Sequence, residues 1–420
     1  MKRKTIYKIT LLIVGIITFT GCTGCGRKTN VESQQETKPA IVHPTAASES
    51  KPTVNVYIEN SGSMDGYVGI GKTDFKSAVY NYLSDIKISD ITDSLNLFYI
   101  NSNIIPHRPD ISDFIEKLNP TTFRQRGGNR GTTDISNLIE TLLRETQENA
   151  VSILISDFIF SPGRNRDAEE YLINQQIGIK TNIAEVLKIR NLGIIVYQLS
   201  SEFNGFYYNR EDRPTKIENR RPFYIWIIGN VPYITELHQR IPAAKFKGSG
   251  VENAFTIMQG NQIVDYAIRP GTGKFSLDKK SPKTKIVSVK KDHNGKLTFA
   301  VNVDFSKLLL EDEYLKNKNN YTLNDKDYQL QITNSPASAH NYTQSLNLTS
   351  DKVKPSNLSI KLNMFVPEWV ELMNDNEGLD INTNEAMSKT YGIKYLINGV
   401  YEAFTQKDNF YTEVKININN

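Results

Sequence analysis

Two periodicities divide this chain. From residue 54 to 242, short apolar runs alternate with stretches of helical spacing, whereas from about residue 245 apolar side chains recur at every second position. Val54-Asn55-Val56-Tyr57-Ile58 is β-branched and aromatic and ends in a Ser/Gly turn, which predicts a buried strand. Asp74 to Ile86 places Phe75, Val79, Tyr82, Leu83 and Ile86 on one helical face, with Asp74 as the expected N-cap. Leu95–Ile100 reads as a second strand. Thr133–Glu148 reads as a helix with Ile135, Leu138, Ile139, Leu142 and Leu143 inward. Val151–Ile155 is a continuous apolar run of the kind a central parallel strand needs. Ile183–Ile189 predicts a helix, and Gly193–Leu199 and Phe223–Ile228 predict further strands. This alternation points to a doubly wound, Rossmann-like α/β sheet, whose ligands would sit just beyond the carboxyl ends of the strands.

The second half reads differently. Leu297, Phe299, Val301, Val303 and Phe305 alternate with polar residues, as do Leu358, Ile360, Leu362, Met364 and Val366, and again Val414, Ile416 and Ile418. Turn pairs such as Asn294-Gly295 and Lys354-Pro355 stand between such runs. One buried face and one solvated face are expected, in a mostly antiparallel β-sandwich over residues 243–420. Trp369 and Tyr391 are expected in its core, and a short helix is expected within residues 385–405.

The amino terminus has a pattern of its own. A basic start precedes an apolar stretch from Ile9 to Phe19 and small residues before Cys22. That stretch is about half the ~20 residues a membrane-spanning helix needs, so residues 1–21 read as a signal peptide. Phe19-Thr20-Gly21-Cys22 resembles the lipobox after which bacterial lipoproteins are cut and lipidated, with Phe where Leu is usual. The resemblance implies a lipid anchor at Cys22 and a place in the cell envelope. Residues 22–53 are rich in Ser, Thr, Glu, Gln, Lys and Pro and lack apolar periodicity, as a tether would.

Charge narrows the range of partners. Lys2, Arg3, Lys4 and Lys8, with no acid before Cys22, account for the whole formal charge of +4. The remainder is formally neutral and offers no basic excess for nucleic acid. The two cysteines, Cys22 and Cys25, both lie beside the leader, so the folded body has neither a disulfide nor a thiolate metal site. The five histidines are scattered, which excludes a zinc hydrolase of the H-E-x-x-H type.

Three oxygen-bearing segments follow predicted strands or open a helix: Glu59-Asn60-Ser61-Gly62-Ser63, Gly131-Thr132-Thr133-Asp134 and Ser156-Asp157. Carboxylates and hydroxyls are hard ligands suited to Mg²⁺, Ca²⁺ or Mn²⁺. In order and spacing they resemble the metal-ion-dependent adhesion site of von Willebrand factor A domains, over about residues 53–230. The resemblance implies metal ligation by Glu59, Ser61, Ser63, Thr133 and Asp157, with one position left for an acidic side chain of a protein partner. Glu59 stands where the family usually has Asp, and its carboxylate reaches roughly 1.5 Å farther, one bond length. Arg124, Arg126 and Arg130 are expected on the rim of this face, where guanidinium groups would select an acidic partner. Asp65 is expected as a further oxygen there and Tyr67 as a contact residue; Phe203, Phe206, Tyr207 and Tyr208 would form an aromatic patch or pack between domains. No nucleophile–base pair is evident, so the sequence favours a non-enzymatic, metal-dependent binding protein. The alternatives are a metal-dependent envelope hydrolase and a structural assembly factor with a vestigial site.

Overall fold

A computed structural model describes residues 51–69, 71–108, 110–131, 134–336, 341–379 and 381–419. The expected leader, Cys22, the tether as far as Ser50, and Thr133 lie outside the described residues. The first half runs β1 (Thr53–Glu59), α1 (Asp74–Ile88), β2 (Ser94–Ile100), β3 (Ile104–His107), α2 (Ile111–Glu116), α3 (Pro120–Gln125), α4 (Ile135–Glu145), β4 (Ala150–Ser156), α5 (Ala168–Leu187), β5 (Leu192–Tyr208), β6 (Pro214–Asn230), α6 (Val231–Arg240) and β7 (Asn253–Met258). These seven strands form one sheet in the order β3-β2-β1-β4-β6-β5-β7.

The sheet is open and only partly parallel. β1 pairs in parallel with β2 and β4, and every other pairing in this sheet is antiparallel. The parallel pairing that a doubly wound sheet would need is therefore present in β2-β1-β4 and stops there. The reason is the connection between β5 and β6. Five residues, 209–213, join them, too few for the crossover that parallel neighbours require. Asn209 shapes this turn by accepting the amides of Glu211 and Arg213 at 3.0 Å each, and Asp212 takes a left-handed backbone at φ 56°. Both strands extend well past the rest of the sheet. Ser156 at the end of β4 faces Tyr224, which leaves residues 199–223 as a hairpin projecting from the carboxyl edge of β1 and β4.

The apolar runs become the core as their spacing demands. Every residue of β4 is buried, and α4 buries Ile135, Leu138, Ile139, Leu142 and Leu143. Thr73, not Asp74, caps α1: its hydroxyl accepts the Lys76 amide at 3.2 Å.

The remaining chain continues as β8 (Tyr266–Pro270), β9 (Lys274–Leu277), β10 (Lys285–Lys290), β11 (Leu297–Val303), α7 (Asp312–Lys316), β12 (Tyr321–Leu323), β13 (Tyr328–Asn334), β14 (Gln344–Ser350), β15 (Ser356–Asn363), α8 (Glu368–Leu372), β16 (Asn374–Asp375), α9 (Asn384–Met387), β17 (Thr390–Tyr391), α10 (Ile393–Phe404) and β18 (Phe410–Ile418). A four-stranded sheet has the order β13-β14-β11-β8 and a five-stranded sheet the order β12-β15-β18-β10-β9, antiparallel except for β10 with β18. The period-two pattern is visible in burial: Leu297, Phe299, Val301 and Val303 are buried, as are Leu358, Ile360, Leu362, Val414, Ile416 and Ile418. Tyr391 is a core residue, while Trp369 is only partly buried.

Two elements beyond residue 242 belong to the first sheet's neighbourhood. β7 pairs with β5, and α10 packs along α5, close enough that a Cβ on Gly399 would meet the Gln176 carbonyl at 2.8 Å. The described residues all fall within one compact unit.

Candidate functional site

The candidate site forms where β1 and β4 end side by side. β1 terminates at Glu59, which is 4% exposed; β4 terminates at Ser156, and Asp157 follows, 2% exposed. Parallel pairing of Ile58 with Ile155 sets the two strand ends level, so the acids that follow emerge at one edge. The Ser156 hydroxyl donates to Glu59 Oε2 and its oxygen accepts the Phe158 amide at 2.8 Å. Phe158 is buried and holds a left-handed backbone at φ 48°, a conformation that costs a bulky residue of order 1–3 kcal/mol. The chain thus turns sharply just after Asp157.

Ser61 and Ser63 stand on the loop after β1, their hydroxyl oxygens 3.0 Å apart. A short 3₁₀ turn, Ser63–Gly66, carries that loop against the projecting hairpin. Two glycines permit the approach: a Cβ on Gly66 would lie 2.3 Å from the Phe203 ring, and one on Gly205 would lie 2.6 Å from Gly66 Cα. Glu59, Ser61, Gly62, Ser63, Ile159 and Tyr208 are among the residues around a cavity of about 90 Å³ at this edge.

Burial and like charge dominate the electrostatics of Asp157. Burial first, and then the negative charge of Glu59, push the Asp157 carboxyl up to about 7. The Ser63 hydroxyl and the Arg221 guanidinium draw it partly back. Asp157 Oδ2 is buried without a hydrogen-bond partner of good geometry among the described residues. Arg221 is itself 1% exposed and directs Nη1 and Nη2 to the carbonyls of Met387 and Lys389 at 3.2 Å each, with its guanidinium 4.6 Å from the Tyr207 ring centre, while its Nε is buried without a partner of good geometry among the described residues.

Of the expected arginine rim, Arg130 does line the cavity, but its guanidinium is committed within the loop. Arg130 is directed inward: its Nε donates to the Asn60 carbonyl at 2.7 Å and its Nη2 to the Ser61 carbonyl at 3.0 Å and to Asp65 at 2.5 Å. Arg130 thereby clamps the loop that carries the serines. Asp65, the expected additional metal oxygen, receives Arg130 on one oxygen and Arg124 on the other at 3.3 Å. Arg126 turns away, its guanidinium 4.6 Å from the Tyr99 ring centre and its Nη2 3.5 Å from His107 Nδ1. Only Arg124, with a side chain 66% exposed, remains open to a partner. Tyr67 is fully buried and donates to the Pro222 carbonyl at 2.5 Å, so it is no surface contact. Of the aromatic patch, Phe203 and Tyr207 are buried and Phe206 is 49% exposed.

Arg221 and Tyr208 are contributors that sequence reasoning did not place in the site, and Asn60 and Ser156 stood in its oxygen-bearing segments without a role. Asn60 links the edge to its neighbours, accepting from Asn101 at 3.0 Å and donating to the Phe123 carbonyl at 3.2 Å. A charged residue at the head of the apolar run Phe223–Ile228 was the one available signal for Arg221.

As a donor set, two buried carboxylates, one with an unpaired oxygen, and two serine hydroxyls are oxygen ligands of the kind a hard divalent cation takes. Among the described residues no group of three or more His, Cys, Asp or Glu side chains gathers in metal-binding proximity, at this edge or anywhere else, and none of their helices is long and apolar enough to cross a membrane. No protein-family model matches the chain, and no match is found among curated proteins or solved structures.

Proposed function

We propose that this protein is an exported, lipid-anchored, non-enzymatic binding protein of the cell envelope that holds a divalent cation at the β1–β4 edge. Glu59, Ser61, Ser63 and Asp157 would hold the ion together with Thr133, within a fold like that of a von Willebrand factor A domain. The bound ion supplies an electrophilic position for an acidic side chain of a protein partner. Anchorage rests on the lipobox resemblance at Cys22.

One observation carries the metal reading: Glu59 and Asp157 are both buried and repel one another, and Asp157 Oδ2 is buried without a hydrogen-bond partner of good geometry among the described residues. Buried like charges need a counter-charge, and a carboxyl that keeps its proton to about 7 is one way the chain meets that need without one. A divalent cation is the other, and it would release that proton on binding.

Isothermal titration of the chain lacking residues 1–21 with Mn²⁺ tests this. One ion per chain is expected, with proton release shown by dependence of the heat on buffer ionisation. Asp157→Ala is expected to abolish the heat. A wild-type chain that takes up no Mn²⁺, Mg²⁺ or Ca²⁺ would overturn the reading.

A further inference from the structure

Beside the outer edge of β7, on the far side of the sheet from β3, lies an open cavity of about 460 Å³. Its walls are apolar and aromatic: Leu309, Tyr314, Phe365, Trp369 and Leu372 all line it. Phe365 and Leu372 are 44% and 56% exposed, large apolar side chains left in water at its mouth. A second cavity of about 500 Å³ shares Ala254, Glu311, Glu313 and Trp369 with the first, so the two adjoin.

Charge decides what such a groove accepts. Glu311, Glu313 and Glu368 line the first cavity and Glu252 the second, and all four are exposed. No Lys, Arg or His lines either one. Glu311, Glu313 and Glu368 form no ion pair among the described residues. The mode of binding is also constrained. β7 is an edge strand, yet its carbonyls at Ala254 and Thr256 already accept from Trp369 Nε1 at 3.1 Å and Tyr411 Oη at 2.6 Å. Strand addition on that edge is therefore blocked, and recognition falls to side chains.

We infer that this groove binds a basic segment of a partner protein, with Arg or Lys side chains reaching the glutamates and apolar side chains packing against Trp369, Tyr314 and Phe365. Guanidinium and ammonium groups are attracted both to the carboxylates and to the faces of aromatic rings. Two adjoining cavities of about 460 and 500 Å³ offer more room than a single small cation fills. This surface is separate from the β1–β4 edge and requires no metal.

The chain has two tryptophans, Trp226 and Trp369, and Trp226 is fully buried, so Trp369 emission reports on the groove. The full chain is titrated in EDTA with a tryptophan-free octapeptide alternating Arg and Leu. A saturable change in emission is expected, weakened roughly tenfold or more in Glu311→Gln/Glu313→Gln/Glu368→Gln and lost in Trp369→Phe. The three glutamates are exposed, so their substitution leaves folding intact, and circular dichroism verifies this for them and for Trp369→Phe. No saturable change, equal affinity for the triple variant, or equal affinity for the Glu/Leu counterpart of the peptide would overturn the inference. Equal affinity for argininamide would overturn the peptide reading in favour of a small-cation pocket. Because EDTA is present throughout, failure here is distinct from failure of the metal reading.

Discussion

The β1–β4 edge and the groove beside β7 are both lined by carboxylates, and they use them in opposite ways. At the edge, Glu59 and Asp157 are buried, and each worsens the other's position. In the groove, Glu252, Glu311, Glu313 and Glu368 face water, which screens them from one another. The buried pair must be compensated from within the fold, by a proton or a cation. The exposed set needs no compensation and is free to attract a partner. The same chemical group is a folding problem in one region and a recognition device in the other, and solvent access makes the difference.

The sharpest way to break that comparison is to remove the charge at Asp157 while keeping its shape. A carboxyl whose folded pKa of about 7 exceeds its ordinary 3.8 binds its proton more tightly in the native state. The folded chain therefore retains a proton that the unfolded chain has released, and metal-free stability falls as pH rises from about 4 to about 7. Above that the full penalty is present, on the order of 4 kcal/mol. Asp157→Asn should abolish this penalty. In EDTA at pH 8 the variant is expected to melt several degrees above the parent, with the gap closing at pH 4. A variant less stable than the parent at pH 8 would mean that Asp157 is not a burdened acid. Adding Mn²⁺ at pH 8 should raise the melting temperature of the parent and leave the variant unmoved.

Asp65 and Arg130 lie between the two extremes, with side chains 15% and 17% exposed. Arg130 also satisfies the Asn60 and Ser61 carbonyls, so its removal strands three acceptors at once. Arg130→Ala is expected to cost about 1–3 kcal/mol in urea unfolding. It should also weaken Mn²⁺ affinity roughly tenfold, because the loop bearing Ser61 and Ser63 loses its clamp. A change below about 0.5 kcal/mol would place this pair with the surface charges.

The strands at the site were legible because a continuous apolar run such as Val151–Ile155 leaves few choices besides a buried strand. Their direction was less so. Apolar runs carry no sign, and only the short connection at 209–213 reveals that β6 lies antiparallel between β4 and β5. The start of α5 was missed because Glu169, Glu170, Asn174, Gln175 and Gln176 break the apolar period that marks its end. Glu59, Ser61, Ser63 and Asp157 could be read as one group because each follows a strand. Arg221 and Tyr208 could not, because a hairpin projecting beyond its sheet leaves no periodic mark in sequence. The engagement of the arginine rim was hidden for a related reason: composition shows three guanidinium groups but not that the carbonyls of the serine loop claim one of them.

Glu402 offers the weakest and most discriminating case. It joins α10 to α5, accepting from Gln176 Nε2 at 2.6 Å and Lys180 Nζ at 2.8 Å, but both members of the ion pair are 38% exposed. Water screens such a pair, and fixing two long side chains offsets much of the attraction. The helices are held instead by close packing, with Gly399 set against the Gln176 carbonyl and Ile179. Glu402→Gln keeps a hydrogen-bonding amide at the same place and removes only the charge. The expected loss is below about 1 kcal/mol in urea unfolding, shrinking further as salt is raised. A loss as large as that of Arg130→Ala would show that solvent exposure does not rank the acids of this protein, and the contrast between the buried edge and the open groove would lose its physical basis.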